Sequence, residues 1–119
     1  MIDYNLGVIE ARFADIIWEN EPVPSGQLVK LAEEKLGWKK TTTYSILRKL
    51  SYRGIFKNEN YMISSLISRD EFYGKQTSEM IDRTFKGSLP DFIAAFASVR
   101  KPDKKDIEAI RKMLNEWEK

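Results

Sequence analysis

Three apolar stripes of helical spacing, each cut short by a proline or a glycine, fill the first half of this chain. That punctuation constrains the fold more than any other feature. Leu6, Ile9, Phe13, Ile16 and Ile17 recur every three or four residues, with Trp18 beside them, and mark one face of a first helix. Asn20-Glu21-Pro22 should end it, because proline lacks the amide hydrogen and its ring collides with the preceding turn. Val23 and Pro24-Ser25-Gly26 follow, with Ser25 placed to cap a second helix. Leu28, Leu31, Ala32 and Leu36 form the second stripe, and Gly37 stands where a left-handed terminating residue is wanted.

A third helix is expected from Lys40 or Thr41 to about Tyr52, with Thr43, Ile46, Leu47 and Leu50 inward and Arg53-Gly54 closing it. Two helices joined by a short glycine-containing turn read as a helix-turn-helix. The period then changes. Ile55-Phe56-Lys57 and Tyr61-Met62-Ile63 are β-prone runs around Asn58-Glu59-Asn60, which predicts a hairpin turning at those three residues. Three helices followed by a hairpin is the winged-helix order.

From Ser68 the chain turns helical again. Ser68-Arg69-Asp70-Glu71 has the form of a capping box, and its helix should run to Lys86 and stop at Gly87. Ser88-Leu89-Pro90-Asp91 opens a short helix carrying Leu89, Phe92, Ile93 and Phe96. Asp103 caps a last helix in which Ile107, Ile110, Leu114 and Trp117 form a narrow seam. About fifty residues cannot bury these stripes alone, so residues 67–119 read as a dimerisation region and residues 1–66 as a DNA-binding domain. The expected fold class is mainly α, a winged helix-turn-helix with a small hairpin wing followed by three helices that pair with a second copy. No internal repeat or low-complexity stretch interrupts this order.

Charge singles out the third helix. Lys39, Lys40, Arg48, Lys49, Arg53 and Lys57 lie between Trp38 and Asn58 with no acid among them, so a chain of formal net charge +2 divides into a basic segment and an acidic remainder. If Thr43, Ile46, Leu47 and Leu50 point inward, Lys40, Thr41, Tyr44, Ser45 and Arg48 point outward, with Thr42 at the margin. Such a donor-rich face suits a DNA major groove. Lys39 and Lys40 sit at the positive end of the helix dipole, where a phosphate would be held by both the lysines and the helix terminus. Lys49, Arg53 and Lys57 read either as phosphate supports or as solvated charges. Tyr44 has two readings, a DNA contact or an aromatic packed on the hairpin. Charge runs on small domains are more often solvated faces than binding sites; the helix-turn-helix order is what favours DNA here. Trp18 and Trp38 read as core or staple residues.

The absences narrow the function. With no Cys and no His, the chain has no thiolate, no imidazole base and no zinc site of the usual kind, and a Ser-His-Asp arrangement is excluded. No glycine loop suited to phosphate appears among its 6 glycines, so neither an enzyme nor a cofactor is expected. There is no apolar run long enough to span a membrane, and Met1-Ile2-Asp3-Tyr4-Asn5 lacks a leader's basic and apolar regions, which leads to a cytoplasmic expectation.

The chain resembles the BlaI/MecI penicillinase-repressor family. The resemblance is carried by Leu6, Glu10 and Ile17-Trp18, by Pro22-Val23, by Gly37-Trp38 with Thr41-Thr42, and by Ile46-Leu47-Arg48-Lys49-Leu50 up to Gly54. It continues through Ser68-Arg69-Asp70-Glu71-Phe72 and Phe85-Lys86-Gly87-Ser88-Leu89. It implies a homodimeric repressor reading a palindromic double-stranded operator through Lys40, Thr41, Thr42, Tyr44 and Ser45, with Arg48, Lys49 and the hairpin on the phosphates. It also points to a membrane-bound sensor protease that triggers a cut at an Asn-Phe bond in the dimerisation helices. The matching positions here are Ala95-Phe96, so that cut does not carry over. The copper-responsive branch of the family uses cysteine pairs and is excluded. The family's wing is usually longer and basic, whereas this one is short and places Glu59 at its expected tip. That difference leaves a second reading open, a winged-helix protein-interaction module that no longer binds DNA.

Overall fold

Pro22, Gly37 and Gly54 each stand just past the end of a helix in the structure. The computed structural model describes residues 4–119, so Met1-Ile2-Asp3, read above for a leader, lies outside it. The elements are α1 (Val8–Asn20), β1 (Val23–Pro24), α2 (Ser25–Leu36), α3 (Lys40–Tyr52), β2 (Phe56–Glu59), β3 (Met62–Ser65), α4 (Arg69–Phe85), α5 (Leu89–Val99) and α6 (Lys104–Trp117). The fold class is the expected one, a mainly α winged helix-turn-helix with further helices after it. Two compact units divide the chain, one through Thr77 and one from Ser78 to Lys119.

In the first unit, Phe13, Ile16 and Ile17 of α1, Leu28 and Ala32 of α2, and Leu47 and Leu50 of α3 meet in one core with Ile55, Phe56 and Ile63. Burying each large side chain of this kind contributes roughly 1.5–3 kcal/mol. Trp18 lies against Phe56 with ring centroids 5.2 Å apart, and its Nε1 donates to the Ile67 carbonyl at 3.0 Å. Trp38 packs on Phe13 at 5.0 Å. Both tryptophans are partly buried and pack against the core. Gly37 terminates α2 at φ +69°, and its N–H donates to the Glu33 carbonyl at 3.0 Å, an ending that only a residue at ease in the left-handed region makes cheaply.

Phe72 of α4 is fully buried in this same core, against Tyr4 at 5.3 Å and Trp18 at 5.7 Å. Arg69 Nε donates to Asp15 Oδ1 at 2.9 Å, which raises the guanidinium pKa. Burial, and then the charge of Asp15, push the Tyr73 phenol up. The start of α4 therefore belongs to the first unit, which is why the division falls inside that helix and not before it.

Three local expectations need correction, and one strand was not foreseen. Ile9, counted in the first stripe, is 49 % exposed, because α1 begins only at Val8 and its first turn overhangs the core. Ser25 is the first residue of α2 and not its cap; Pro24 holds that position, and no side chain caps the helix. Val23–Pro24 forms a short edge strand pairing antiparallel with β3, Val23 opposite Ile63, which gives a three-stranded sheet in the order β1-β3-β2. An edge tolerates Pro24, since its missing N–H would face solvent. Finally, the hairpin turns at Asn60-Tyr61, with Glu59 opposite Met62 at the end of the ladder. Both turn residues have positive φ, 51° and 64°, as a two-residue hairpin loop requires. Glu59 is thus a strand residue, not the tip.

The second unit is the end of α4 with α5 and α6. Ser88 Oγ accepts from Asp91 N at 3.1 Å and Asp103 Oδ1 from Asp106 N at 2.8 Å, the caps the sequence indicates. Lys86 and Gly87, both at positive φ, end α4. Phe85 and Phe92 meet edge to face at 5.7 Å. No residue of α5 or α6 is fully buried; Leu89, Ile93, Phe96, Ile107, Ile110 and Leu114 are about half exposed and Trp117 is 68 % exposed.

Candidate nucleic-acid interface

The first turn of α3 lies at the surface because Trp38 turns inward on Phe13 while Lys39, in extended conformation, redirects the chain. Thr43 is the one threonine of the run that is buried; its hydroxyl donates to the Lys39 carbonyl at 3.2 Å. Thr41 and Thr42 stay exposed. No side chain caps α3, so its first amides have no side-chain acceptor and remain able to meet an anion.

Beyond that turn, Thr43, Leu47 and Leu50 anchor the helix to the core and Ile46 is half-buried. Lys40, Thr41, Thr42, Ser45 and Arg48 are all exposed, with Lys39 just before them. This set joins positive charge to hydroxyls on one uninterrupted outer surface of a helix.

The structure sorts the cations of this region into two groups. Glu10 Oε2 of α1 lies 3.5 Å from Lys49 Nζ and 3.7 Å from an Arg53 guanidinium nitrogen. That Arg53 nitrogen also donates to the Asn5 carbonyl at 2.9 Å. Lys57 Nζ lies 3.3 Å from Glu59 Oε1, two residues along the same strand. The Lys49 and Lys57 pairs are exposed enough to hold little energy, ~0–1 kcal/mol, while Arg53 and Glu10 are mostly buried; each pair cancels local charge. Lys39, Lys40 and Arg48 form no ion pair among the described residues. The uncompensated positive charge therefore gathers on the first half of α3 and at Arg48.

Tyr44 is half-buried and packs against the core, and its hydroxyl donates to Ser25 Oγ at 3.1 Å, which joins α3 to α2. Two aromatics were missed. Tyr52 is 94 % exposed at the end of α3 and lines a shallow hollow with Ser45, Arg48, Lys49 and Arg53. Its spacing of seven from Ser45 and four from Arg48 puts it on their face, a signal the sequence carried. Tyr61 is 76 % exposed at the hairpin turn; placing the turn one residue too early hid it.

Among the described residues there is no group of three or more His, Cys, Asp or Glu side chains arranged to hold a metal, and no helix long and apolar enough to cross a membrane.

A family model described as penicillinase repressor matches residues 6–116 of the chain. The penicillinase repressor of Staphylococcus aureus is 25 % identical over 118 residues, covering 96 % of this chain and 94 % of that protein. The methicillin resistance regulatory protein MecI of Staphylococcus aureus strain Mu50 is 20 % identical over 116 residues, covering 94 % of each. MecI of Mammaliicoccus sciuri is 19 % identical over the same length.

Proposed function

This chain belongs to the penicillinase repressor family, a family of transcriptional repressors, and from that membership we propose that it is a homodimer that represses by binding a palindromic DNA operator. Each copy lays its α3 in one major groove. Lys40, Thr41, Thr42, Ser45 and Arg48 meet the bases and flanking phosphates, and Lys39 with the open first turn of α3 binds a phosphate. The observation that carries this reading is the sorting of charge. The cations turned towards α1 and along the wing are already paired, while those on the outer face of α3 are not.

Pairing supplies the second half-site. Leu89, Phe92, Ile93 and Phe96 of α5 and Ile107, Ile110, Leu114 and Trp117 of α6 are the residues by which two copies join. Because most are about half exposed in one chain, covering each recovers roughly half of the 1.5–3 kcal/mol that full burial of such a side chain is worth. A twofold dimer then fixes the distance between the two recognition helices, and so the spacing of the operator half-sites. Phosphate contacts supply most of the affinity and its salt dependence, and the few side chains at base edges choose the sequence.

The test is selection of bound duplexes from a random pool by the full chain. An inverted repeat should emerge. Recovery of no preferred sequence, with binding no tighter than to bulk DNA, would overturn the proposal.

A further inference from the structure

The wing carries at its turn a side chain that the turn itself does not need. Tyr61 holds φ +64° in a two-residue turn, a conformation glycine adopts freely and bulky side chains resist. Asn60, its neighbour in the turn, is of a type that tolerates it. The ring gains little from the fold in return, since Tyr61 is 76 % exposed and no ring contact of it is seen among the described residues. Strain kept at an exposed position calls for a use outside the fold.

The backbone beneath the ring is firmly placed. The Tyr61 carbonyl accepts from Ser25 N–H at 2.8 Å, at the first residue of α2. The Ser25 side chain in turn accepts from the Tyr44 hydroxyl of α3 at 3.1 Å. Only one residue, buried Ser25, therefore separates the tip of the wing from the recognition helix. The two charged side chains of the hairpin, Lys57 and Glu59, pair with each other, so the wing offers a duplex almost no net charge. What it does offer is an amphipathic ring, held next to α3.

We infer that Tyr61 is the wing's DNA contact, an uncharged one, its ring packing on deoxyribose at the minor groove beside the major groove that α3 enters. This rests on the DNA-binding reading above. An aromatic body with a polar tip suits the sugar-lined wall of a groove, where it gains contact without releasing counterions. The contact therefore adds affinity that does not fade with salt.

Tyr61→Gly separates the role from the fold, since glycine relieves the turn. The variant should melt at the parent's temperature or above it, bind the selected duplex roughly tenfold more weakly, as loss of a buried aromatic anchor does, and keep the parent's salt slope. Tyr61→Phe should stay close to the parent. Tyr61→Asn, another residue at ease in the left-handed region, should behave as the glycine variant does. Gly and Asn variants that bind as tightly as the parent, a Phe variant as weak as the Gly one, or a salt slope that falls with the ring would each overturn the inference. The parent's own titration is the control: no binding by the parent to any duplex indicts the DNA-binding reading, not the role of Tyr61.

Discussion

The Tyr44 hydroxyl donates to Ser25 Oγ at 3.1 Å and ties α3 to the first residue of α2. Ser25 is nearly buried, so Tyr44→Phe leaves its hydroxyl without that donor. A net loss of about 0.5–1.5 kcal/mol is expected. Urea unfolding checks it: the midpoint should fall with the slope unchanged, and an unmoved midpoint would mean that this bond adds nothing to the fold.

A chain cut after Thr77 should fold, since it retains every residue of the buried core. One cut after Ile67 loses Phe72, and the loss of a buried phenylalanine costs about 3–5 kcal/mol. Denaturant unfolding of the two fragments should show the longer one markedly more stable. Equal stability would mean that α4 adds nothing to the core.

That boundary shows how far the sequence could be read. α1, α2 and α3 were legible because their stripes are regular and Pro22, Gly37 and Gly54 punctuate them. The caps Ser88 and Asp103 were legible because a short polar side chain before a helix has one obvious use. β1 was not, since a strand as short as Val23–Pro24 shows no alternation and exists only through its partner Ile63. Nor was the turn: Asn58-Glu59-Asn60 has turn chemistry, but the ladder continues through Glu59 and leaves the strained Tyr61 in a place no propensity favours. At the candidate interface the positions of the cations could be read, but not their partners. Glu10 is far from Lys49 and Arg53 in sequence and meets them only when α1 folds across α3.

Glu10→Gln should release Lys49. Stability should change by less than ~1 kcal/mol, because Lys49 is half exposed and Arg53 keeps its bond to the Asn5 carbonyl. The dependence of DNA affinity on salt should steepen, as Lys49 becomes able to meet phosphate. An unaltered slope would show that Glu10 does not hold Lys49 back.

Placing a charge in the exposed seam tests the pairing. Ile110→Glu and Trp117→Glu should each leave the first unit as stable as before but make the full chain sediment as a monomer where the parent is a dimer. Glutamate there would have to be buried against a second copy of itself, which costs far more than the lost contact. A dimer that survives both changes would exclude α6 from the interface.

On the proposed reading the unpaired cations of α3, and not their paired neighbours, meet DNA. The most direct test is the slope of log affinity against log salt on the selected duplex for Lys40→Ala, Arg48→Ala and Lys49→Ala. Lys40→Ala and Arg48→Ala should each weaken binding and lower the slope by about 1, the signature of one lost phosphate contact. Lys49→Ala should leave both unchanged. A Lys49→Ala slope reduced as far as that of Lys40→Ala, or a Lys40→Ala protein indistinguishable from the parent, would contradict it.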